Sequence, residues 1–160
     1  MVGDGLEKSM SVDLETHYRA LESMYLSAPL NAFYQPSIRV WDAGAEISIQ
    51  VVEKFFHSGG AMHGSVYFKM LDDAAFFAAN SVENQYFVLT ADFRIDLLRP
   101  CMGGVITSRG SIVRAGRQDI LAESKLYDAE KRLLATGVGR FSRGRTVLTE
   151  AEGYACHLNG

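Results

Sequence analysis

The stretch His57-Ser58-Gly59-Gly60-Ala61-Met62-His63-Gly64-Ser65-Val66-Tyr67-Phe68-Lys69-Met70-Leu71-Asp72-Asp73-Ala74-Ala75-Phe76-Phe77-Ala78-Ala79 decides the reading of this chain. A glycine-rich turn with two histidines opens a long apolar helix that carries carboxylates in its interior. The turn leaves backbone N–H groups at the positive end of a helix dipole, an arrangement that suits a developing oxyanion. A carboxylate in so apolar a helix is expensive to bury without a partner or a purpose. Together the two features suggest acyl chemistry with a general base.

The helix is expected over about Gly64–Asn80. Val66, Met70, Leu71, Ala74, Ala75, Phe77 and Ala78, with Phe68 and Phe76, leave little of its circumference polar, so it belongs inside the protein. Outward from it, Asp13 can cap a helix to about Ser27, with Leu14, Tyr18, Leu21 and Tyr25 at helical spacing and Pro29 just past its end. Residues 37–42 and 45–54 read as strands around the Asp42-Ala43-Gly44 turn, Ile47, Ile49 and Val51 alternating with polar residues. Segments near 86–98, 104–114, 119–128 and 133–142 are β-rich, and residues from Arg145 onward show no strong pattern. Helices and strands do not alternate. That order excludes a doubly wound parallel sheet and favours an α+β fold with a curved antiparallel sheet around the central helix.

With 160 residues the chain is one domain's worth of core. A net charge of −3 argues against a dedicated nucleic-acid binder. Residues 1–91 hold 5 Lys/Arg against 11 Asp/Glu, whereas residues 92–145 hold 11 against 6. The second half can therefore present a basic patch to a phosphorylated ligand, or merely solvated arginines on strand faces. Cys101 and Cys156 have no framework or metal spacing. The N-terminus, with Asp4 and Glu7, has no signal-peptide core, and the apolar stretch around residues 70–79 is too short to span a bilayer. A cytoplasmic protein without membrane contact is the default expectation.

His63 and Asp72 are nine residues apart, about 2.5 turns and ~13 Å of helical rise, and project from opposite sides of the helix. If both serve one site, that site lies between two subunits. Asp73 falls in a narrow polar arc with Lys69 and Asn80, and Asp72 lies at the edge of that arc. The Asp72 neighbours one turn away are Phe68, Ala75 and Phe76, which should raise its pKa and allow it to act as a base near neutrality. The blander alternatives are a solvated acidic strip beside Lys69 and a turn histidine that only caps the helix. His57, His63 and the carboxylates match no common zinc pattern, and no serine sits in a nucleophile elbow.

The segment resembles the hotdog-fold acyl-CoA thioesterases, in particular the group that includes the phenylacetate-pathway thioesterase. The family pattern Asn-x-x-Gly-x-x-His-Gly-Gly, with an acid nine residues after the histidine, reads here as His57-x-x-Gly60-x-x-His63-Gly64-Ser65 with Asp72. The resemblance covers about residues 32–143. Leu89 through Pro100 is similar to the family strand after the helix, with Thr90 at a position that assists the catalytic water in some members. Arg114-Ala115-Gly116-Arg117 is similar to the turn that approaches the coenzyme A phosphates, and Leu133 through Gly137 to the closing strand. His57 replaces the usual Asn, and Ser65 replaces the second glycine.

The resemblance implies a hotdog domain over residues 32–144, between a helical extension (1–31) and a tail (145–160), assembled as a homodimer or homotetramer. It implies hydrolysis of an acyl-CoA with no metal or cofactor. In the implied roles the Gly64 N–H binds the thioester oxygen, Asp72 of the other subunit activates water or attacks, and Thr90 orients the water. His57 and His63 shape and polarise the site. Gly60 and Ser65 contact substrate, and Arg114, Gly116 and Arg117 meet its nucleotide end. A non-catalytic acyl-CoA sensor is the alternative, and the intact Asp72 and His63-Gly64 favour the enzyme. A hotdog dehydratase would need a proline-containing turn that this chain lacks.

Overall fold

The computed structural model describes residues 12–160. Asp13 caps α1 (Leu14–Ser27), its carboxylate accepting from the N–H groups of Glu15 and Thr16. Tyr18, Leu21 and Tyr25 form the buried stripe of α1, whereas Leu14 is exposed. A single turn, α2 (Asn31–Tyr34), follows Pro29. Strands β1 (Ser37–Trp41) and β2 (Gly44–Gln50) make a hairpin whose two-residue turn puts Ala43 at φ 60°.

Strand β2 is shorter than the alternation predicts. Its last paired residue is Gln50, opposite Val105, where the neighbouring strand begins. Beyond that pair only the Val51 N–H still reaches across, to the Gly104 carbonyl, before the chain leaves the sheet and Glu53–Phe55 form a 3-10 turn. Helix α3 (Gly64–Ser81) follows, then β3 (Tyr86–Leu97), β4 (Val105–Ala115), β5 (Asp119–Tyr127) and β6 (Leu133–Val147). The six strands form one antiparallel sheet in the order β1-β2-β4-β5-β6-β3. It curves around α3, which touches every strand. This is a hotdog architecture with an added N-terminal helix.

Close approach of α3 to the sheet depends on Gly110. A methyl group there would fall 2.0 Å from the Ala74 carbonyl oxygen, so any larger residue pushes the helix off β4. The inward positions of β5 are Ile120, Ala122, Ser124 and Leu126, and the Ser124 hydroxyl donates to the Leu71 carbonyl. Phe68 departs from the expected burial. It is partly exposed at the flank of α3, edge-on to Phe93 of β3. Asn80, expected in the polar arc, is fully buried. Its amide donates to the Glu83 and Tyr86 carbonyls and accepts from the Val88 N–H, so it ties the end of α3 to the start of β3.

The segment after Arg145 is ordered rather than patternless. Strand β6 continues to Val147 because β3 supplies a partner as far as Tyr86, so the tail boundary expected at Arg145 falls inside a strand. Beyond it, Leu148–Glu150 form a 3-10 turn and α4 (Tyr154–Leu158) packs on α1. His17 joins the three helices, and its side chain is fully buried. Its Nε2–H donates to the Asn80 carbonyl (2.9 Å), which leaves Nδ1 to accept from the Tyr154 hydroxyl (2.8 Å). Burial lowers its pKa, consistent with a neutral ring. His17→Phe keeps the bulk but leaves the Tyr154 hydroxyl without its partner. Urea unfolding should show a loss of about 1–3 kcal/mol, and a loss below 0.5 would mean that the hydroxyl finds water.

Candidate active site

Asp72 lies in the middle of α3, one residue past the positions that face the core. Its Oδ1 accepts a 2.9 Å hydrogen bond from the Thr90 hydroxyl on β3. Both residues line a cavity of about 360 Å³ between α1, α2, α3 and β3. Burial raises the Asp72 carboxyl from 3.8 to about 6, against the lowering effect of the Thr90 hydrogen bond. Asp73 raises it further and Lys69 lowers it. The surroundings that produce this differ from the expected pair of phenylalanines. Phe76 shares the cavity, but Phe68 packs elsewhere, and the remaining apolar wall comes from Phe87 and Leu89 on β3 and from α1 and α2.

Asp73 is engaged in a different way. Its Oδ2 accepts from Lys69 Nζ at 2.6 Å and from the Tyr25 hydroxyl at 2.7 Å. The Lys69 ammonium also lies 5.2 Å from the Tyr25 ring centroid and 4.9 Å from that of Tyr34. The Lys69 and Asp73 side chains are only 10% and 19% exposed, so this is a packed ion pair that fastens α1 to α3 and not a solvated strip. One of two adjacent aspartates is thus bound to a cation, while the other faces a cavity with a raised pKa.

The glycine turn lies at the other end of the helix. His63 is the N-cap of α3, its Nδ1 accepting from the Ser65 N–H at 3.0 Å and lying 2.8 Å from the Ser65 hydroxyl. His57 Nδ1 accepts from the Gly59 N–H, which tightens the turn, and Gly60 adopts φ 84°. The Gly64 N–H has no acceptor among the described residues. Gly64 and His57 together line a second cavity, of about 350 Å³, with Tyr67, Leu97, Leu98 and Arg99. Its rim is set by the Tyr67 hydroxyl donating to the Arg99 carbonyl at 2.8 Å. Within one chain, therefore, Asp72 with Thr90 and Gly64 with His57 occupy separate cavities.

Gly116 and Arg117 lie in the β4–β5 turn, and Arg114 lies near the end of β4 beside it. Arg114 is 3.6 Å from Asp119, and the Gly116 N–H donates to the Asp119 carbonyl. Arg143, not singled out from the sequence, holds this turn: its Nη1 donates to the carbonyls of Gly116 and Arg117 while its Nε donates to Glu83. Glu83 directly follows the C-cap of α3, so the turn sits at the C-terminal end of that helix. The Arg117 side chain is exposed. Other residues that local spacing did not mark are Tyr25, Asn31, Phe87 and Leu89, which reach Asp72 only through tertiary packing. Tyr25 was legible as part of the buried stripe of α1, but not as a wall of this cavity.

The family model described as the thioesterase superfamily matches residues 59–135, from the glycine turn through the start of β6. A Saccharolobus solfataricus protein named "Putative esterase SSO2140" is 29% identical over 102 residues, 64% of this chain and 73% of that protein. Among solved structures, the E. coli PaaI protein from the phenylacetic acid degradation operon superposes with a TM-score of 0.76 at 18% identity, over 83% of this chain and 96% of that one. The Haemophilus influenzae thioesterase HI1161 gives 0.68 at 19% identity, over 75% and 85%. At such identities the superpositions speak to the fold alone. The matched segment runs through the turn, α3 and β3 to β5, and over it the chain is similar to the thioesterase superfamily, while the fold as a whole is the hotdog fold.

Proposed function

We propose that the protein hydrolyses an acyl-CoA thioester to the free acid and CoA, at a site completed by a second copy of the chain. The observation that carries this reading is Asp72: a carboxyl raised to about 6, hydrogen-bonded to Thr90 and facing a largely apolar cavity. Such a group is a competent base at neutral pH. Thr90 would hold the attacking water against it, or the carboxylate would attack the thioester itself. The Gly64 N–H, without an acceptor among the described residues and at the N-terminus of an 18-residue helix, is suited to the oxygen that gains charge. His57 lines the same cavity and is placed to polarise the thioester, while His63 fixes the turn through Ser65.

The second copy is argued from separation and from an open edge. Asp72 and Gly64 of one chain line different cavities. Strand β3, twelve residues long, is an outer strand of the sheet, and it ends beside exposed Leu97 and Leu98. A long unpaired edge invites pairing with another chain. Antiparallel β3–β3 pairing about a two-fold axis would bring each Gly64 turn towards the partner's Asp72.

The nucleotide end is assigned to the β4–β5 turn. Arg117→Ala should raise KM for acyl-CoA and weaken its salt dependence, with little change for a truncated thioester lacking the nucleotide. Equal losses on both substrates would place Arg117 in folding or chemistry instead. The function itself is tested by an acyl-CoA panel with detection of free thiol. Turnover of any member supports the hydrolase, and tight binding without thiol release would make the protein a sensor.

A further inference from the structure

Lys69, Asp72 and Asp73 stand at i, i+3 and i+4 on α3, so the sequence puts one ammonium within reach of two carboxylates. Local spacing favours neither acid. Tertiary packing decides between them: Lys69 Nζ lies 2.6 Å from Asp73 Oδ2, and Asp72 is left to the Thr90 hydroxyl.

The seat for this choice comes from helices outside the matched segment 59–135. From α1 the Tyr25 hydroxyl donates to the same Asp73 oxygen at 2.7 Å. The Tyr25 ring and that of Tyr34 from α2 also take up the ammonium, at 5.2 and 4.9 Å. Burial and the Asp73 charge push the Tyr25 hydroxyl well above its ordinary value, so it stays a donor. Tyr25, Lys69, Asp72 and Asp73 are the titratable side chains lining the cavity among the described residues, and Thr90 faces Asp72 from β3. After burial and the Thr90 hydrogen bond, the charges acting on Asp72 are Asp73, which raises it, and Lys69, which lowers it.

We propose that the Lys69–Asp73 pair, seated by α1 and α2, sets the pH above which Asp72 is free to act as a base. Lys69 and Asp73 are positioning residues: they act through Asp72 and not on the reacting atoms. The inference rests on the hydrolase reading for its link to turnover, but the titration of Asp72 is read without turnover. The two charges lie side by side and oppose each other, so removing one exposes the other. Loss of the ammonium leaves a bare anion beside Asp72 and favours its protonated form. Loss of the anion leaves a bare cation and favours the carboxylate.

The test follows the Asp72 carboxyl resonance by NMR in the full chain, assigned by its absence in Asp72→Asn. The parent midpoint is expected at about 6. Lys69→Gln should raise it by about one pH unit and Asp73→Asn should lower it by about one. Lys69→Arg, which keeps the charge, and the double variant Lys69→Gln with Asp73→Asn, which removes both charges, should stay within about half a unit of the parent. Where an acyl-CoA is turned over, the acid limb of kcat/KM should follow the same order. A merely structural pair would change stability without these opposite signs. Both single replacements keep a hydrogen-bonding side chain, and a melt accompanies each. Either one that folds is decisive by its own sign. If neither folds, the parent decides: the Lys69 ammonium resonance should shift with the Asp72 midpoint, and an unresponsive ammonium would overturn the proposal. Midpoints that stay still, or move the same way in both single variants, would also overturn it. The expected midpoints without thiol release from any acyl-CoA would overturn the hydrolase reading alone.

Discussion

If Asp72 is the proposed base, replacing it by asparagine should lower turnover of an acyl-CoA by about 100-fold or more, because the shape stays and the base is lost. In the unmutated protein kcat/KM should then fall as pH drops through about 6, where the carboxyl takes up its proton. Stability moves in the opposite sense. The folded-state pKa lies above the unfolded value of 3.8, so ionisation costs the folded protein nothing below about pH 4 and its full amount above about pH 6. Asparagine carries no such cost, so the melting temperature of Asp72→Asn should gain on that of the parent between pH 4.5 and pH 8. Asp73→Asn behaves differently. It leaves Lys69 nearly buried and without its carboxylate, so it lowers the melting temperature while retaining most of the turnover per folded molecule. The assignment fails if the two variants exchange these behaviours.

Two inactive variants mixed together should recover activity if the site is shared as proposed. Asp72→Asn lacks the proposed base, and Gly64→Pro lacks the N–H that has no acceptor among the described residues. Proline suits the first position of a helix, so the second variant is expected to fold. If each site combines Gly64 of one copy with Asp72 of the other, a mixed dimer contains one site with both defects and one with neither. About half of randomly re-formed dimers are mixed, so roughly a quarter of the sites regain the parent's rate. Subunit exchange is followed with two affinity tags. Demonstrated mixed dimers without recovery would mean that Asp72 and Gly64 act within one chain, or that another donor holds the oxygen.

The parts of this protein that repeat locally were legible in its sequence. The Asp13 cap, the span of α3 and the alternation of Ile47 and Ile49 in β2 depend on neighbours a few residues away, and the structure has them where spacing predicts. A curved antiparallel sheet around the central helix followed from the order of elements and from a helix too apolar to be left outside, and the resemblance implied the hotdog fold. Features that depend on distant partners were not legible. Strand β2 ends at Gln50 because β4 begins at Val105. Asn80 looked like a surface residue because nothing local reveals Tyr86 and Val88 folding back onto it. At the site, a raised Asp72 was anticipated for an incomplete reason. Phe76 was foreseen, whereas α1, α2 and β3 supply the rest of the wall. The Lys69–Asp73 pair was visible as a four-residue spacing, and Tyr25 as its third member was not.

The placement of β3 also bears on how the chain is made. Strand β3 leaves α3 and crosses to the far edge of the sheet, where its partner is β6, the last strand in sequence. During synthesis residues 86–97 therefore emerge well before residues 133–147 exist to receive them. Over that interval the nascent polypeptide carries an unpaired ribbon beginning Tyr86-Phe87-Val88-Leu89 and one flank of α3 uncovered. Non-local pairing of this kind slows folding and prolongs the exposure of sticky segments. The ribbon is where a ribosome-associated chaperone would first take hold, and where overexpressed chains would begin to clump before their synthesis is complete.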